Sequence, residues 1–160
     1  MKYSEIRPIA KDGDIIFLDY DRYNFLSIFT HVMTGSMYTH SAFLFWYRDR
    51  LMIVESTTHG GLRVVNASVY ENRELTLVKA PRPWCDIVDV ALQKIGTVKY
   101  GWISATYIGF RDVMYRWFSI SLPQNNGNRN LACSEFVSMV LGFKDIDIPP
   151  RKLYEILTHK

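Results

Sequence analysis

The most restrictive feature of this 160-residue chain is a pair of apolar runs joined by a polar dipeptide. Thr39 to Tyr47 reads Thr-His-Ser-Ala-Phe-Leu-Phe-Trp-Tyr. Arg48-Asp49 follows, and then Arg50 to Thr57, Arg-Leu-Met-Ile-Val-Glu-Ser-Thr. Beyond its first residues the first run is apolar on both faces, which predicts a strand in the middle of a sheet. The second run is its returning partner, and the turn between them makes the pair antiparallel.

Two ionisable residues interrupt this hairpin. His40 stands near the start of the first strand and Glu55 near the end of the second. Register decides whether they meet. A two-residue loop pairs Tyr47 with Arg50 and sets Glu55 diagonally from His40 on the same face, about 7–8 Å away between backbones. A four-residue loop sets them directly opposite, and a three-residue loop puts them on opposite faces. The plainer alternative is that both are solvated residues at strand ends.

The remaining segments give an α+β chain read as one domain over residues 1–160. Asp12-Gly13-Asp14 is a turn, and Ile15-Ile16-Phe17-Leu18 a buried strand. Asp21 to Thr34 predicts an amphipathic helix ended by Gly35, with His31 as a packing or surface residue. His59-Gly60-Gly61 is a turn whose His59 is a substitute for His40. Leu62 to Val65 and Leu75 to Lys79 are short strands. Asp86 to Ile95 predicts a helix with Val88, Leu92 and Ile95 inward and Gly96 as the stop. Tyr100 to Ser119 is helical and carries Tyr100, Trp102, Tyr107, Phe110, Tyr115, Trp117 and Phe118. These aromatics are expected to form the helical layer of the core, the alternative being a greasy rim for a lipid or acyl substrate. Pro123 to Arg129 is a polar loop. Ile148-Pro149-Pro150 is a rigid break before a short helix, Arg151 to Leu157, with Leu153, Ile156 and Leu157 inward.

Composition excludes several classes. The net charge is +3, from 19 basic and 16 acidic residues, and no run of Lys or Arg marks a nucleic-acid surface. The apolar stretch from Val98 to Leu122 is broken by Lys99, Arg111, Asp112 and Arg116, which argues against a transmembrane helix. Met1 to Arg7 lacks the apolar core of a signal peptide, so the cytoplasm is the expected compartment, with export by another route still open. Cys85 and Cys133 read as reduced thiols. No metal-ligand spacing such as Cys-x-x-Cys is present, so no metal or cofactor is expected.

Asn130-Leu131-Ala132-Cys133-Ser134-Glu135-Phe136-Val137 opens a helix whose apolar positions are Phe136, Val137, Val140 and Leu141, closed by Gly142. Asn130 is the expected N-cap, which puts Cys133 in the first turn. The free N–H groups and dipole there stabilise a thiolate, although a Cys on a helix face is more commonly a small core residue. Cys85 is the rival nucleophile, but Asp86 and Asp89 oppose a thiolate beside it.

The motifs Gly13-Asp14-Ile15-Ile16-Phe17, Thr39-His40-Ser41-Ala42, Ile53-Val54-Glu55-Ser56 and Ala132-Cys133-Ser134-Glu135-Phe136-Val137 occur in that order. The chain in this respect resembles the circularly permuted branch of the NlpC/P60 papain-like cysteine hydrolases, the YaeF/YiiX-like group related to lecithin:retinol acyltransferase. The resemblance implies a permuted papain-like fold, an antiparallel sheet packed against helices, in which the His precedes the Cys. It implies Cys133 as nucleophile, His40 as general base and acid, and Glu55 as the residue that orients the imidazole. It also implies a cysteine amidase or peptidase acting on a small peptide, amide or acyl substrate, cell-wall peptides among them. The alternatives are an acyltransferase or thioesterase on lipid-like substrates with the same triad, or a non-catalytic binding module. The N–H of Cys133 is a candidate oxyanion donor, and the Tyr38 hydroxyl a guess at another.

Overall fold

Apolar alternation along the hairpin organises the centre of the molecule. In the computed structural model, which describes residues 1–124 and 130–159, a five-stranded antiparallel sheet is packed against helices. In chain order the elements are α1 (Tyr3–Ile6), β1 (Ile15–Asp19), α2 (Phe25–Thr34), β2 (Tyr38–Tyr47), β3 (Arg50–Thr57), β4 (Gly61–Asn66), β5 (Leu75–Val78), α3 (Val88–Gln93), α4 (Trp102–Phe118), α5 (Cys133–Val140) and α6 (Pro150–Thr158). The sheet runs β4-β3-β2-β1-β5, which puts the hairpin of β2 and β3 inside it, as its two apolar faces require. Residues 125–129 of the expected polar loop lie outside the described residues.

Each face of the sheet has its own core. Ile15, Phe17, Phe43 and Val54 point toward α5 and α6, where Phe136, Val137, Val140 and Leu153 meet them. Ile16, Leu18, Ala42, Leu44, Leu51 and Ile53 point the other way, under Ile6, Ala10 and Ala67. This is the period-two pattern of strands covered on both sides.

Several expectations are corrected. The helix predicted from Asp21 begins at Phe25, because the Asp21 carboxylate accepts the Tyr23 N–H and holds a turn. The helix predicted from Asp86 is split into a 3₁₀ turn, Trp84–Asp86, and α3. That turn rotates the face, so Ile87 and Ala91 point inward and Leu92 is exposed. In α6 Leu153 and Leu157 point inward as expected and are joined by Tyr154, whose ring packs on Phe17 and Tyr38, while Ile156 is exposed.

The aromatic segment departs most from expectation. It forms one helix, α4, but Trp102, Ile103, Phe110, Trp117 and Phe118 face outward, Trp117 with 76 % of its surface accessible. Its buried positions are Ser104, Ile108 and Gly109. Gly109 lies so close to α2 that an added Cβ would stand 3.0 Å from the Met33 Cβ. Arg111 and Asp112 turn partly inward, Arg111 onto Asp145 at 2.8 Å and Asp112 onto Arg116 at 2.7 Å. The inner face is therefore filled by small and paired polar groups, and the large rings take the outer one. Among the described residues no helix is long and apolar enough to cross a membrane.

Candidate active site

Tyr47 pairs with Arg50, so the hairpin loop is Arg48-Asp49 and the two-residue alternative is the register realised. His40 and Glu55 then share a face diagonally, and their side chains bridge the offset. His40 Nε2 lies 2.9 Å from Glu55 Oε2. Glu55 is fully buried and His40 is 16 % exposed.

Two residues that the sequence reading did not single out complete this end of the site. Arg63 stands directly opposite Glu55 on β4 and donates from Nε and Nη2 to Oε1 at 2.9 and 2.8 Å. Tyr70 donates its hydroxyl to Oε2 at 2.6 Å. The signal for Arg63 was present. With His59-Gly60-Gly61 as the turn, the register of β3 on β4 sets residue 63 against residue 55. Tyr70 had none, because it arrives from the 3₁₀ helix Ala67–Tyr70, beyond the strand register. Burial favours the neutral Glu55 acid, but His40, Tyr70 and Arg63 outweigh it and hold the carboxyl at about 2. Burial and the Glu55 charge push the Tyr70 hydroxyl far above the usual tyrosine range, so it stays a donor.

Cys133 reaches the same place from the helix layer. It is the first residue of α5, but the N-cap is Ala132 rather than Asn130. The segment before it is pinned to the sheet. Ser56 Oγ donates to the Leu131 carbonyl at 2.6 Å, and Leu131 bridges to Tyr100. That attachment leaves Asn130 exposed, ahead of the helix start. Ala132 has no side-chain acceptor, and Glu135 supplies the other half of a capping box by accepting the Ala132 N–H at 2.6 Å.

The His40 ring and Cys133 line the same cavity and act on each other electrostatically. Nε2 is engaged by Glu55, which leaves Nδ1 for the thiol and fixes the tautomer. Burial opposes the imidazolium, yet the Cys133 sulfur and the Glu55 carboxylate overcome it and push the ring up to about 10. Burial also raises the thiol, and the His40 charge more than reverses this, helped by the backbone N–H groups of Ser41 and Ser134. The thiol therefore sits below its ordinary 9.0.

The other expected residues fall elsewhere. Tyr38 is no oxyanion donor. Leu18 pairs with His40 and Asp19 with Tyr38, so Thr39 bulges and Tyr38 flips to the opposite face from His40. Its ring packs on Phe17 and Tyr154. His31 packs on Tyr20 with the rings tilted and their centroids 4.4 Å apart, and its Nδ1 meets the Ser36 carbonyl oxygen. His59 is the exception: it sits on the turn beside Thr58 but lines the cavity that His40 and Cys133 share. Cys85 is exposed and its thiol faces the Asp86 carboxylate, which raises it.

No protein-family model matches the chain, and no curated protein matches it. Among the described residues no cluster of three or more His, Cys, Asp and Glu side chains is placed to hold a metal ion. The arrangement is a buried cysteine and a hydrogen-bonded imidazole–carboxylate pair at one open cavity, lined by His40, Cys133 and Tyr70.

Proposed function

We propose that this protein is a cysteine-dependent hydrolase that opens an amide or related acyl bond through a covalent acyl-enzyme. The observation that carries the reading is His40, whose Nε2 meets the buried Glu55 carboxylate at 2.9 Å and which lines one cavity with Cys133. The motif resemblance to permuted NlpC/P60 enzymes supports it. So does the order of the residues, with His and Glu on the sheet preceding a Cys at a helix start, under an antiparallel sheet covered by helices. A permuted papain-like fold is the architecture this reading assigns.

The Cys133 thiolate attacks the substrate carbonyl carbon, and its N–H, at a helix position without an intrahelical acceptor, offers a donor to the oxyanion. The imidazolium of His40 passes its proton to the leaving nitrogen or oxygen as that bond breaks. Water then adds to the thioester, His40 takes its proton, and collapse releases the acid and restores the thiolate. Glu55, held by Arg63 and Tyr70, keeps the ring oriented and stabilises its charge throughout.

The test is an electrophilic amide or ester probe followed by mass spectrometry. The expected result is a single covalent adduct on Cys133, none on Cys85, and slow labelling in His40→Ala. Labelling of Cys133 that is as fast in His40→Ala as in the unaltered protein would overturn the proposal.

A further inference from the structure

α4 keeps its charged residues paired and turns its large rings to water, the reverse of an ordinary surface helix. Arg111 reaches Asp145 at 2.8 Å, Asp112 takes Arg116 at 2.7 Å, and Arg116 also donates to the Met33 carbonyl at 2.8 Å. The outward row is Ile103, Phe110 and Trp117, a seven-residue spacing that keeps it on one side of the helix. Trp102 and Phe118 extend the row at its two ends, and all five residues are between 47 % and 76 % exposed.

At roughly 200 Å² for a large side chain, these five leave about 600 Å² of apolar area in water. That is the upper end of the largest patch on an ordinary monomer. A standard interface buries about 800 Å² a side, about two-thirds of it apolar in homodimers. The row therefore supplies the apolar part of one such interface.

The order of residues along α4 favours a second copy of the same helix. α4 runs from Trp102 to Phe118, and Phe110 is its middle residue. Ile103 and Trp117 are equally far from Phe110 in sequence, and so are Trp102 and Phe118. A second α4 laid antiparallel on the first, with a two-fold axis at Phe110, sets Phe110 on Phe110, Ile103 on Trp117 and Trp102 on Phe118. None of these pairs contains a charged residue. A membrane surface fits less well. A helix face that binds lipid is flanked by Lys and Arg free to meet lipid phosphates, and both arginines of α4 are already paired with carboxylates.

We propose that the outward face of α4 is a dimer interface, in which two copies of this chain pack α4 on α4 in antiparallel order about a two-fold axis through Phe110.

The test is sedimentation equilibrium over a concentration series, with circular dichroism to show that each variant is folded. The unaltered protein should have the mass of two chains. Phe110→Glu brings two carboxylates together on the axis and should leave a single chain. Ile103→Glu and Trp117→Lys should each raise the dimer Kd by about tenfold or more. An equimolar mixture of those two variants should associate more tightly than either alone. One of its cross pairs is Glu on Lys and the other remains Ile on Trp, a rescue that only the antiparallel order gives. A single chain at the highest soluble concentration overturns the proposal, and binding of that monomer to phosphatidylglycerol vesicles would assign the face to a membrane instead. A dimer that survives Phe110→Glu, or a mixture that gains nothing over its parts, overturns it as well.

Discussion

Glu55 is a buried anion whose neighbours keep it ionised. Its folded pKa of about 2 lies below the ordinary 4.5, so its contribution to stability is complete above that value and is lost as pH falls through 2. Glu55→Gln removes one member of a buried ionic group, a change that costs about 3–5 kcal/mol when the partner is left uncompensated. Arg63 is 38 % exposed and water can replace part of its loss. Chemical denaturation near neutral pH should therefore show about 2 kcal/mol of destabilisation. The difference from the unaltered protein should shrink as pH is lowered from 4.5 toward 2. The sulfur makes a second prediction. With the thiol below 9.0 and His40 near 10, thiolate and imidazolium coexist between their two transitions. The rate of Cys133 alkylation by iodoacetamide should reach half its plateau below pH 9 in the unaltered protein. In His40→Ala only the burial and the Ser41 and Ser134 N–H groups remain, and the midpoint should rise. His40 and Glu55 were legible in the sequence as polar interruptions of an apolar hairpin, and Cys133 by its place in the first turn of a helix. Arg63 was legible only through the register of a second hairpin, and Tyr70 not at all.

Among the elements, α5 depends on a carboxyl it keeps buried at its own start. Glu135 accepts the Ala132 N–H and lies beside Ser104 and the Asp147 carboxyl. Burial, and then Asp147, push it up to about 7 from an ordinary 4.5. Between these values the folded protein holds a proton that the unfolded chain has released, so stability falls as pH rises across that window. Glu135→Gln keeps an acceptor for Ala132 and has no proton to lose. Its Tm should gain on that of the unaltered protein from pH 5 to about 7.5, measured by calorimetry in matched buffers. The start of β4 offers another test. Gly61 has φ +65°, and a Cβ there would collide with the Val98 carbonyl oxygen. Gly61→Ala should cost about 1–3 kcal/mol, read from the denaturation midpoint, and should loosen the register that sets Arg63 against Glu55. The element boundaries that sequence missed share a cause. The N-cap moved from Asn130 to Ala132 because Leu131 is tied to Ser56 and Tyr100, contacts made by residues far away in the chain.

Across the whole molecule, the sheet is the platform that brings residues 40, 55 and 133 together. Phe136 joins α5 to it, fully buried and edge-on to Phe43 with ring centroids 5.9 Å apart. Phe136→Ala should lower stability by about 3–5 kcal/mol and slow Cys133 alkylation as the helix loses its seat. Unaltered stability in urea would count against this packing role. The outward rings of α4 belong to the same scale. Trp117 and Phe118 are apolar in sequence and helical in period, and period alone cannot say which side of a helix meets the core. Gly109 against Met33 and Arg111 against Asp145 decided it.

The sequence by itself determined the central hairpin, its two-sided burial and the two ionisable residues that interrupt it, because alternation is a local property of the chain. Tertiary structure alone decided which way α4 faces, where α5 begins, that Tyr38 turns away, and that Tyr70 holds Glu55. Each of these depends on a contact between segments distant in sequence, and such contacts leave no local pattern to read.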